Sequence, residues 1–327
     1  MVMAGLIIRH EGNVLTGDQQ SQHIPGHDPL RSPDVTDDDT ALELFQQHRP
    51  VLFGIAYRML GSAADAEDIL QDAWLSWSRV DLAVVAEPRA YLARTVTNLS
   101  LNRLSSAAVQ REAYVGPWLP EPLVTAPDAS GQAEQAEAVS LAMLVVLESL
   151  SPLERAVFIL KEVFGFAYAD IAGMLDRTEA SVRQVGHRAR SSVQARRPRY
   201  EAPAELRRRA TEEFLAACLG GDLNRVMEML APDVTLWSDG GGKIRAALRP
   251  ILGPDKVARW IVGILTVRPI PDMTAEFVNV NGDPGLLVLS AGVPDSVFCV
   301  ELDETGGIAG LRIIRNPDKL GHVTAPR

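Results

Sequence analysis

The segment from Tyr168 to Arg190 constrains the fold most, because its pattern is that of two short helices crossing at a steep angle. Asp176 occupies the turn between them, and aspartate is one of the few residues besides glycine that tolerates the left-handed backbone region. Thr178 is suited to cap the second helix. Apolar residues fall where such helices must touch, at Ile171, Ala172, Leu175, Val182 and Val185. The pattern predicts a helix-turn-helix and favours DNA binding over an ordinary helical hairpin.

The polar face of the second helix carries side chains that can hydrogen-bond base edges or phosphates. Arg183 and Arg188 are candidates for guanine or phosphate contacts, and Gln184 for adenine. The whole set of DNA-binding candidates is Thr178, Glu179, Ser181, Arg183, Gln184, His187, Arg188 and Arg190. Ten arginines and three acids lie between residues 177 and 209, although the formal net charge of the chain is −10. Basic charge is therefore concentrated at this motif, and the overall acidity argues against a non-specific polyanion binder.

Length and composition indicate several globular domains in the cytoplasm. A chain of 327 residues is too long for one small core. Cys218 and Cys299 lie far apart without metal-ligand spacing, so we expect no disulfide framework, no metal site and no cofactor. The N-terminus lacks a signal-peptide pattern, and no apolar run is long enough to span a membrane. We therefore expect a cytoplasmic protein without membrane contact.

Proline, glycine and capping signals divide the chain into five segments. Residues 1–38 are predicted to be a flexible tail, 39–110 a helical domain, 111–136 a Pro-rich linker, 137–198 a helical domain containing the helix-turn-helix, and 203–327 a third domain. Gly61-Ser62 and Ser151-Pro152 are helix end and start signals. In the third segment helices precede strands, and Asn281-Gly282 is a typical hairpin turn. The predicted architecture is multidomain: two all-α domains, then an α+β domain with an antiparallel sheet.

The two helical segments resemble the extracytoplasmic-function (ECF) sigma factors over Leu42 to about Val193. The matching blocks are LFGIAYRMLGSAADAEDILQDAWLSW, PRAYLARTVTNLSLNRLSS and LSPLERAVFILKEVFGFAYADIAGMLDRTEASVRQ. The third segment is similar to the SnoaL-like group within the cone-shaped fold of nuclear transport factor 2 and ketosteroid isomerase. Trp118-Leu-Pro-Glu-Pro122, Asp239-Gly-Gly-Gly-Lys243 and Asn316-Pro-Asp-Lys-Leu320 match motifs of the ECF subgroup that carries such an extension.

The resemblance implies that core RNA polymerase and promoter DNA are the partners. Polymerase contact maps to the polar side of the second helix, at Asp65, Asp68, Gln71 and Asp72. Strand opening at the minus-10 element maps to cationic and amide side chains, at Arg79, Arg89, Arg94, Asn98, Asn102 and Arg103. The helix-turn-helix set is then expected to read the minus-35 element as duplex.

The resemblance also implies that the C-terminal domain regulates the sigma domains, so that a separate anti-sigma factor is not required. The residues expected at this regulatory contact are Trp118, Pro120, Asp239, Gly240, Gly241, Gly242, Lys243, Asn316, Pro317, Asp318, Lys319 and Leu320. We further expect the segment Asn316 to Leu320 to support activity. A cone-shaped sheet usually encloses an apolar pocket, so a small-molecule site is a default hypothesis.

Catalysis is not expected, although Asp239 is a candidate general base, because no paired acid and base motif is legible in the third domain. Two other readings stay open from the residues alone. One is a ligand-responsive helix-turn-helix regulator that binds DNA without polymerase. The other is an enzyme of the ketosteroid isomerase-like fold, and fold alone decides neither.

Overall fold

A computed structural model describes residues 37–125, 139–196, 200, 202–267 and 270–324. The predicted N-terminal tail lies outside the described residues, except for its last two positions, where helix α1 begins. The prediction of a flexible tail therefore stays a prediction.

The first helical domain consists of α1 (Asp37–Leu60), α2 (Ala63–Trp77) and α3 (Pro88–Glu112), with a short 3-10 turn at Leu82–Val84. Gly61 ends α1 in the left-handed region with φ 67°. The Ser62 hydroxyl caps α2 by accepting from the Asp65 amide at 3.1 Å, as the sequence predicts. Trp77 is fully buried and donates its indole N–H to the Ala41 carbonyl at 2.8 Å. It is a packing residue of this domain.

The second helical domain contains α4 (Leu141–Glu148), α5 (Pro152–Phe158), a π turn at Ile159–Val163, α6 (Tyr168–Met174) and α7 (Glu179–Arg196). Helices α6 and α7 form the predicted helix-turn-helix. Asp176 lies in the left-handed region with φ 52°, and the Thr178 hydroxyl accepts from the Ser181 amide at 3.3 Å. Both local predictions are confirmed, because each depends only on residues within one turn.

The C-terminal domain contains α8 (Ala204–Leu219), α9 (Leu223–Met229), α10 (Pro254–Val267) and α11 (Pro317–Leu320). Its strands are β2 (Leu230–Asp239), β3 (Ile251–Leu252), β4 (Met273–Val280), β5 (Asp283–Ser290), β6 (Val293–Leu302) and β7 (Ile308–Ile314). With the linker strand β1 (Val124–Thr125), they form one sheet in the order β1-β4-β5-β6-β7-β2-β3.

The prediction of a purely antiparallel sheet is wrong at one pair, because β2 runs parallel to β7, with Leu236 opposite Leu311. These strands are far apart in sequence, and a local hairpin signal says nothing about the direction of such a pair. The predicted hairpin at Asn281-Gly282 is present, and both residues have positive φ. The domain is therefore α+β with a mixed sheet.

The sheet has two covered faces. Its inner face, with Leu236, Leu311 and Ile313, packs against α8, α9 and α10. Its outer face, with Val280 and Ile314, belongs to the same apolar core as the two helical domains. The described part of the Pro-rich linker, up to Thr125, lies between them and adds β1 to the sheet edge, with Val124 opposite Val280. Linker, helices and sheet thus share one hydrophobic core.

Candidate functional site: nucleic-acid interface and interdomain cluster

The recognition helix α7 presents its predicted DNA-binding residues at the surface. Val182 and Val185 lie on the buried side of α7, so the polar residues on its other side face outward. Exposed members are Thr178, Glu179, Arg183, Gln184, His187 and Arg188, and the half-buried members are Ser181 and Arg190. The predicted face is therefore accessible to a major groove.

The arginines of this face have carboxylate partners within the protein. The Arg183 Nε donates to Glu179 at 3.0 Å, and the Arg183 guanidinium lies 4.8 Å from the centre of the Tyr168 ring. Arg190 pairs with Glu162 at 2.8 Å, and Arg188 with Glu154 at 3.4 Å. Exposed ion pairs contribute about 0–1 kcal/mol, so a phosphate or guanine can replace these carboxylates at little cost.

The minus-10 candidates fall into two groups. Arg79, Arg94, Asn102 and Arg103 are exposed. Arg89, which is also exposed, and the half-buried Asn98 contact the second helical domain. The Arg89 guanidinium donates to the Phe164 carbonyl at 3.1 Å and lies 4.6 Å from the centre of the Phe166 ring.

Asn98 lies deeper in the same contact, where its amide donates to the Met174 carbonyl, the last residue of α6, at 3.4 Å. Part of the predicted minus-10 surface therefore packs on the helix-turn-helix domain.

The polymerase candidates line the polar side of α2, opposite its buried residues Ala66, Ile69 and Ala73. Asp68, Gln71 and Asp72 are exposed and Asp65 is half-buried. Arg103, a minus-10 candidate, donates to Asp65 at 3.0 Å and pairs with Asp68 at 3.3 Å. Two predicted sets are thus adjacent, because α3 crosses α2.

Asp239 is the centre of an interdomain cluster, which we call the linker clamp and define as Tyr114, Leu119, Asp239, Asn316 and Lys319. The Asp239 carboxylate is fully buried. It accepts from the Tyr114 hydroxyl at 2.6 Å, from the Leu119 amide at 2.9 Å and from the Lys319 ammonium at 2.7 Å. Burial, and then the bond to Asp239, raise the pKa of the Tyr114 hydroxyl, so Tyr114 remains a donor.

Lys319 ties the C-terminal segment to the linker. It is 9% exposed, and besides the ion pair with Asp239 it donates to the Leu119 carbonyl. Its ammonium lies 4.2 Å from the centre of the Trp118 ring and 5.0 Å from that of Tyr114, which are cation–π distances. The buried Lys319 ammonium therefore joins the C-terminal segment to the Asp239 carboxylate of β2 and to a backbone carbonyl and two aromatic rings of the linker.

The glycines after Asp239 allow the backbone to approach the clamp closely. Gly241 has φ 60°, and a Cβ there would lie 2.4 Å from the Asn316 amide nitrogen. A Cβ at Gly240 would lie 2.2 Å from the Ile244 carbonyl oxygen. Asn316 uses this space to donate to the Tyr114 hydroxyl at 2.9 Å. The three motifs that resembled an ECF subgroup thus meet at one place.

The remaining motif residues lie around the clamp. Pro120 and Leu320 are buried, whereas Gly242 and Pro317 are exposed. Lys243 pairs with Asp318 at 2.6 Å, and both side chains are more than half exposed. Lys243 and Asp318 therefore lie at the rim of the clamp rather than within it.

Glu121 is a second interdomain residue, and sequence reasoning missed it. Its buried carboxylate accepts from the Ser62 hydroxyl at 2.9 Å and from the Ala63 amide at 2.8 Å, at the N-terminus of α2. His322 Nδ1 lies 2.8 Å from it. Burial opposes ionisation, but the bonds from His322 and Ser62 outweigh it and lower the pKa of Glu121. Glu121 lies inside the Trp118–Pro122 motif, yet nothing in the local pattern names partners so distant in sequence.

The cone-shaped domain encloses a cavity of about 60 Å³ with a largely apolar lining that includes Phe214 and Trp260. Asp239 does not line it, so the idea of Asp239 as a general base in this pocket is wrong; its carboxylate faces the linker instead. Asp295 does line the cavity, but it is bound by Arg315 through contacts of 2.9 and 3.1 Å. Ligand pockets usually measure about 300–1,000 Å³, so this cavity is small for an organic ligand.

Two absences hold for the described residues. They contain no group of three or more histidine, cysteine, aspartate or glutamate side chains arranged to hold a metal ion. None of their helices combines the length and the apolar character that a membrane crossing requires.

Comparison with known proteins assigns the class of this molecule. Residues 44–109 match the family model of sigma-70 region 2, and residues 140–193 match that of sigma-70 region 4. These ranges contain the α2–α3 surface and the helix-turn-helix. These two matches define the class of the molecule as a sigma factor, a transcription initiation factor of RNA polymerase.

Whole-chain relatives narrow the assignment. The ECF RNA polymerase sigma factor SigJ of Mycobacterium tuberculosis is 38% identical over 84% of this chain and 91% of its own length. The probable ECF sigma factor SigI of the same species is 28% identical over 88% and 97%. The crystal structure of SigJ matches with a TM-score of 0.69 over 86% of this chain and 98% of SigJ. The chain belongs to the ECF sigma factors and carries a fused SnoaL-like C-terminal domain.

Proposed function

We propose that this ECF sigma factor is regulated from within its own chain, by a C-terminal domain that holds the linker and the two sigma domains closed. The observation that carries the proposal is the fully buried Asp239 carboxylate, which binds Tyr114 and Leu119 of the linker and Lys319 of the C-terminal segment. Removing one partner of a buried ion pair lowers stability by about 3–5 kcal/mol. A contact of this kind stabilises one arrangement of the linker strongly.

The closed arrangement is incompatible with reading both promoter elements at once. Asn98 of α3 touches Met174 of α6, so the minus-10 and minus-35 surfaces adjoin. The names of the elements put their centres roughly 25 base pairs apart, or about 85 Å of duplex at ~3.4 Å per base pair. The two domains must therefore separate before both elements are bound, and linker residues held in the clamp and in β1 must be released.

In the open form, in which the two sigma domains are separated, we assign a partner to each surface from its exposure and charge. The α7 set binds the minus-35 duplex, with Arg183 and Arg188 on guanine or phosphate and Gln184 on adenine. The minus-10 set binds the minus-10 strands, and the hydrogen bonds of Arg89 and Asn98 to the second helical domain are released when the domains separate. Asp65, Asp68, Gln71 and Asp72 of α2 bind core polymerase.

Tethering supports control without a separate anti-sigma protein. A contact within one chain experiences an effective concentration set by the linker, commonly in the millimolar range for short tethers. We assign no catalytic role to the C-terminal domain, because Asp239 and Asp295 are both engaged by cationic side chains. We also assign no ligand to its small internal cavity.

The test is in vitro transcription with limiting core polymerase. Asp239→Asn is expected to lower the amount of sigma factor needed for half-maximal transcription by at least about tenfold, because a larger fraction of molecules is open. Lys243→Met removes an exposed cation from the same motif and is the matched control, with no change expected.

A folded Asp239→Asn protein that transcribes less than the wild type would refute the restraint. It would favour the sequence-based expectation that Asn316 to Leu320 supports activity. Truncation before Asn316 removes Lys319 and gives the same comparison by an independent change.

A further inference from the structure

A pocket of about 470 Å³ lies between the second helical domain and the outer face of the sheet, separate from the small cavity inside the cone. Residues 140–143, at the start of α4, form one wall. Arg312 of β7, Glu301 of β6 and Arg207 of α8 lie on the opposite side. Its volume falls within the range of about 300–1,000 Å³ that is usual for ligand pockets.

Two guanidinium groups of this pocket have unused hydrogen-bond donors. Arg312 is 7% exposed, contacts Glu301 and lies 4.8 Å from the centre of the Trp237 ring. Arg207 pairs with Asp283 at 2.8 Å. Among the described residues, Arg207 Nε, Arg312 Nε and Arg312 Nη1 have no hydrogen-bond acceptor, and Glu301 Oε1 has no donor. Buried polar groups are almost always paired, so three unpaired donors against one unpaired acceptor on one pocket call for a further acceptor.

The charges around the pocket also favour a hydrogen-bond acceptor. Burial lowers the pKa of Arg312 to about 10, which shows that its surroundings stabilise the charged form poorly. The N-terminal end of α4 forms part of the opposite wall, and the start of a helix carries partial positive charge. Both features favour an anionic group in the pocket.

We propose that this pocket binds an organic carboxylate with an apolar body. A carboxylate matches the planar fork of a guanidinium, and Leu141, Met143 and Leu302 provide apolar contacts for the rest of the molecule. An amine is disfavoured, because the unpaired donors of the pocket outnumber its one unpaired acceptor and Asp283 already pairs with Arg207.

The test uses 4-phenylbutyrate as the probe, with 4-phenylbutylamine and 4-phenylbutanol as analogues that differ only in the head group. Isothermal titration and thermal unfolding of the full chain measure binding. The carboxylate is expected to bind with one site per chain and to raise Tm with concentration, whereas the analogues do not.

Two variants locate the site. Arg207→Gln is expected to weaken binding by about tenfold, since a hydrogen bond to a charged group is lost. Ala142→Phe fills part of the pocket without removing a charge and is expected to abolish binding. Arg209→Gln changes a neighbouring exposed arginine outside the pocket and serves as the control.

Failure of the carboxylate to bind, unchanged binding by Ala142→Phe, or equal binding of the amine would each overturn the assignment. Because the walls belong to two domains, a bound ligand would also favour the closed arrangement, a consequence that rests on the proposed function. If the carboxylate binds at this pocket but leaves transcription unchanged, the regulatory proposal fails while the site stands.

Discussion

The ion pair between Asp239 and Lys319 gives the sharpest quantitative prediction. The carboxylate is fully buried and the ammonium 9% exposed, at an N–O distance of 2.7 Å. Asp239→Asn keeps the shape of the side chain but leaves a buried ammonium without its counter-charge. Removing one partner of a buried pair costs about 3–5 kcal/mol, which corresponds to a factor of roughly a hundred to several thousand in the opening equilibrium of the linker.

Hydrogen exchange measures that equilibrium directly, because the Leu119 amide donates to Asp239 at 2.9 Å. Exchange of the linker peptide around Leu119 is expected to accelerate by about two to three powers of ten in Asp239→Asn. Lys243→Met is the control, since its pair with Asp318 is exposed and contributes about 0–1 kcal/mol.

A double-mutant cycle distinguishes the interaction free energy of the Asp239–Lys319 pair from a general loss of structure. Lys319→Met alone leaves the buried carboxylate with neutral donors, and the double variant removes both charges. The coupling free energy is expected to be at least about 1 kcal/mol, as for other contacting residues. Equal exchange rates in Asp239→Asn and Lys243→Met, or a coupling near zero, would refute the idea that this pair holds the linker.

Three further predictions concern other contacts. The hydrogen bond to the buried Glu121 carboxylate raises the pKa of His322 above 6.5. The stabilisation contributed by protonated His322 is therefore complete below about pH 6.5 and is lost as the pH rises through the raised pKa. After correction for the base-catalysed intrinsic exchange rate, linker exchange should therefore accelerate as the pH rises above about 6.5, and His322→Gln should abolish this additional pH dependence. Gly241→Ala should lower the free energy of unfolding in urea by about 1–3 kcal/mol, because the added Cβ is strained at positive φ and clashes with the Asn316 side chain. Gly253→Ala is the control: Gly253 also has positive φ but no neighbour within 4 Å, so the loss of stability should be smaller. Arg183→Ala should weaken minus-35 binding by the holoenzyme by about 1–3 kcal/mol, whereas Arg259→Ala, which breaks a comparable i,i+4 pair on α10, should leave promoter use unchanged.

Local features were predictable because their causes lie within a few residues. The left-handed turn at Asp176, the cap at Thr178 and the hairpin at Asn281-Gly282 each follow from the conformational preferences of the residues themselves. The periodic apolar positions of α2 and α7 likewise predicted which sides face outward. The motif residues of the clamp were recognisable by resemblance, although their mutual contacts were not.

The sequence by itself determined the helices and their caps, the helix-turn-helix and the exposed polar faces, since these depend on short-range sterics and on hydrophobic periodicity. Only the tertiary structure decided the parallel pairing of β2 with β7, the addition of linker strand β1 to the sheet, and the meeting of Glu121 with His322. It also decided that Asp239 faces the linker rather than the cone cavity. Each of these contacts joins residues dozens to hundreds of positions apart, and their formation depends on how whole layers pack, which no local pattern encodes.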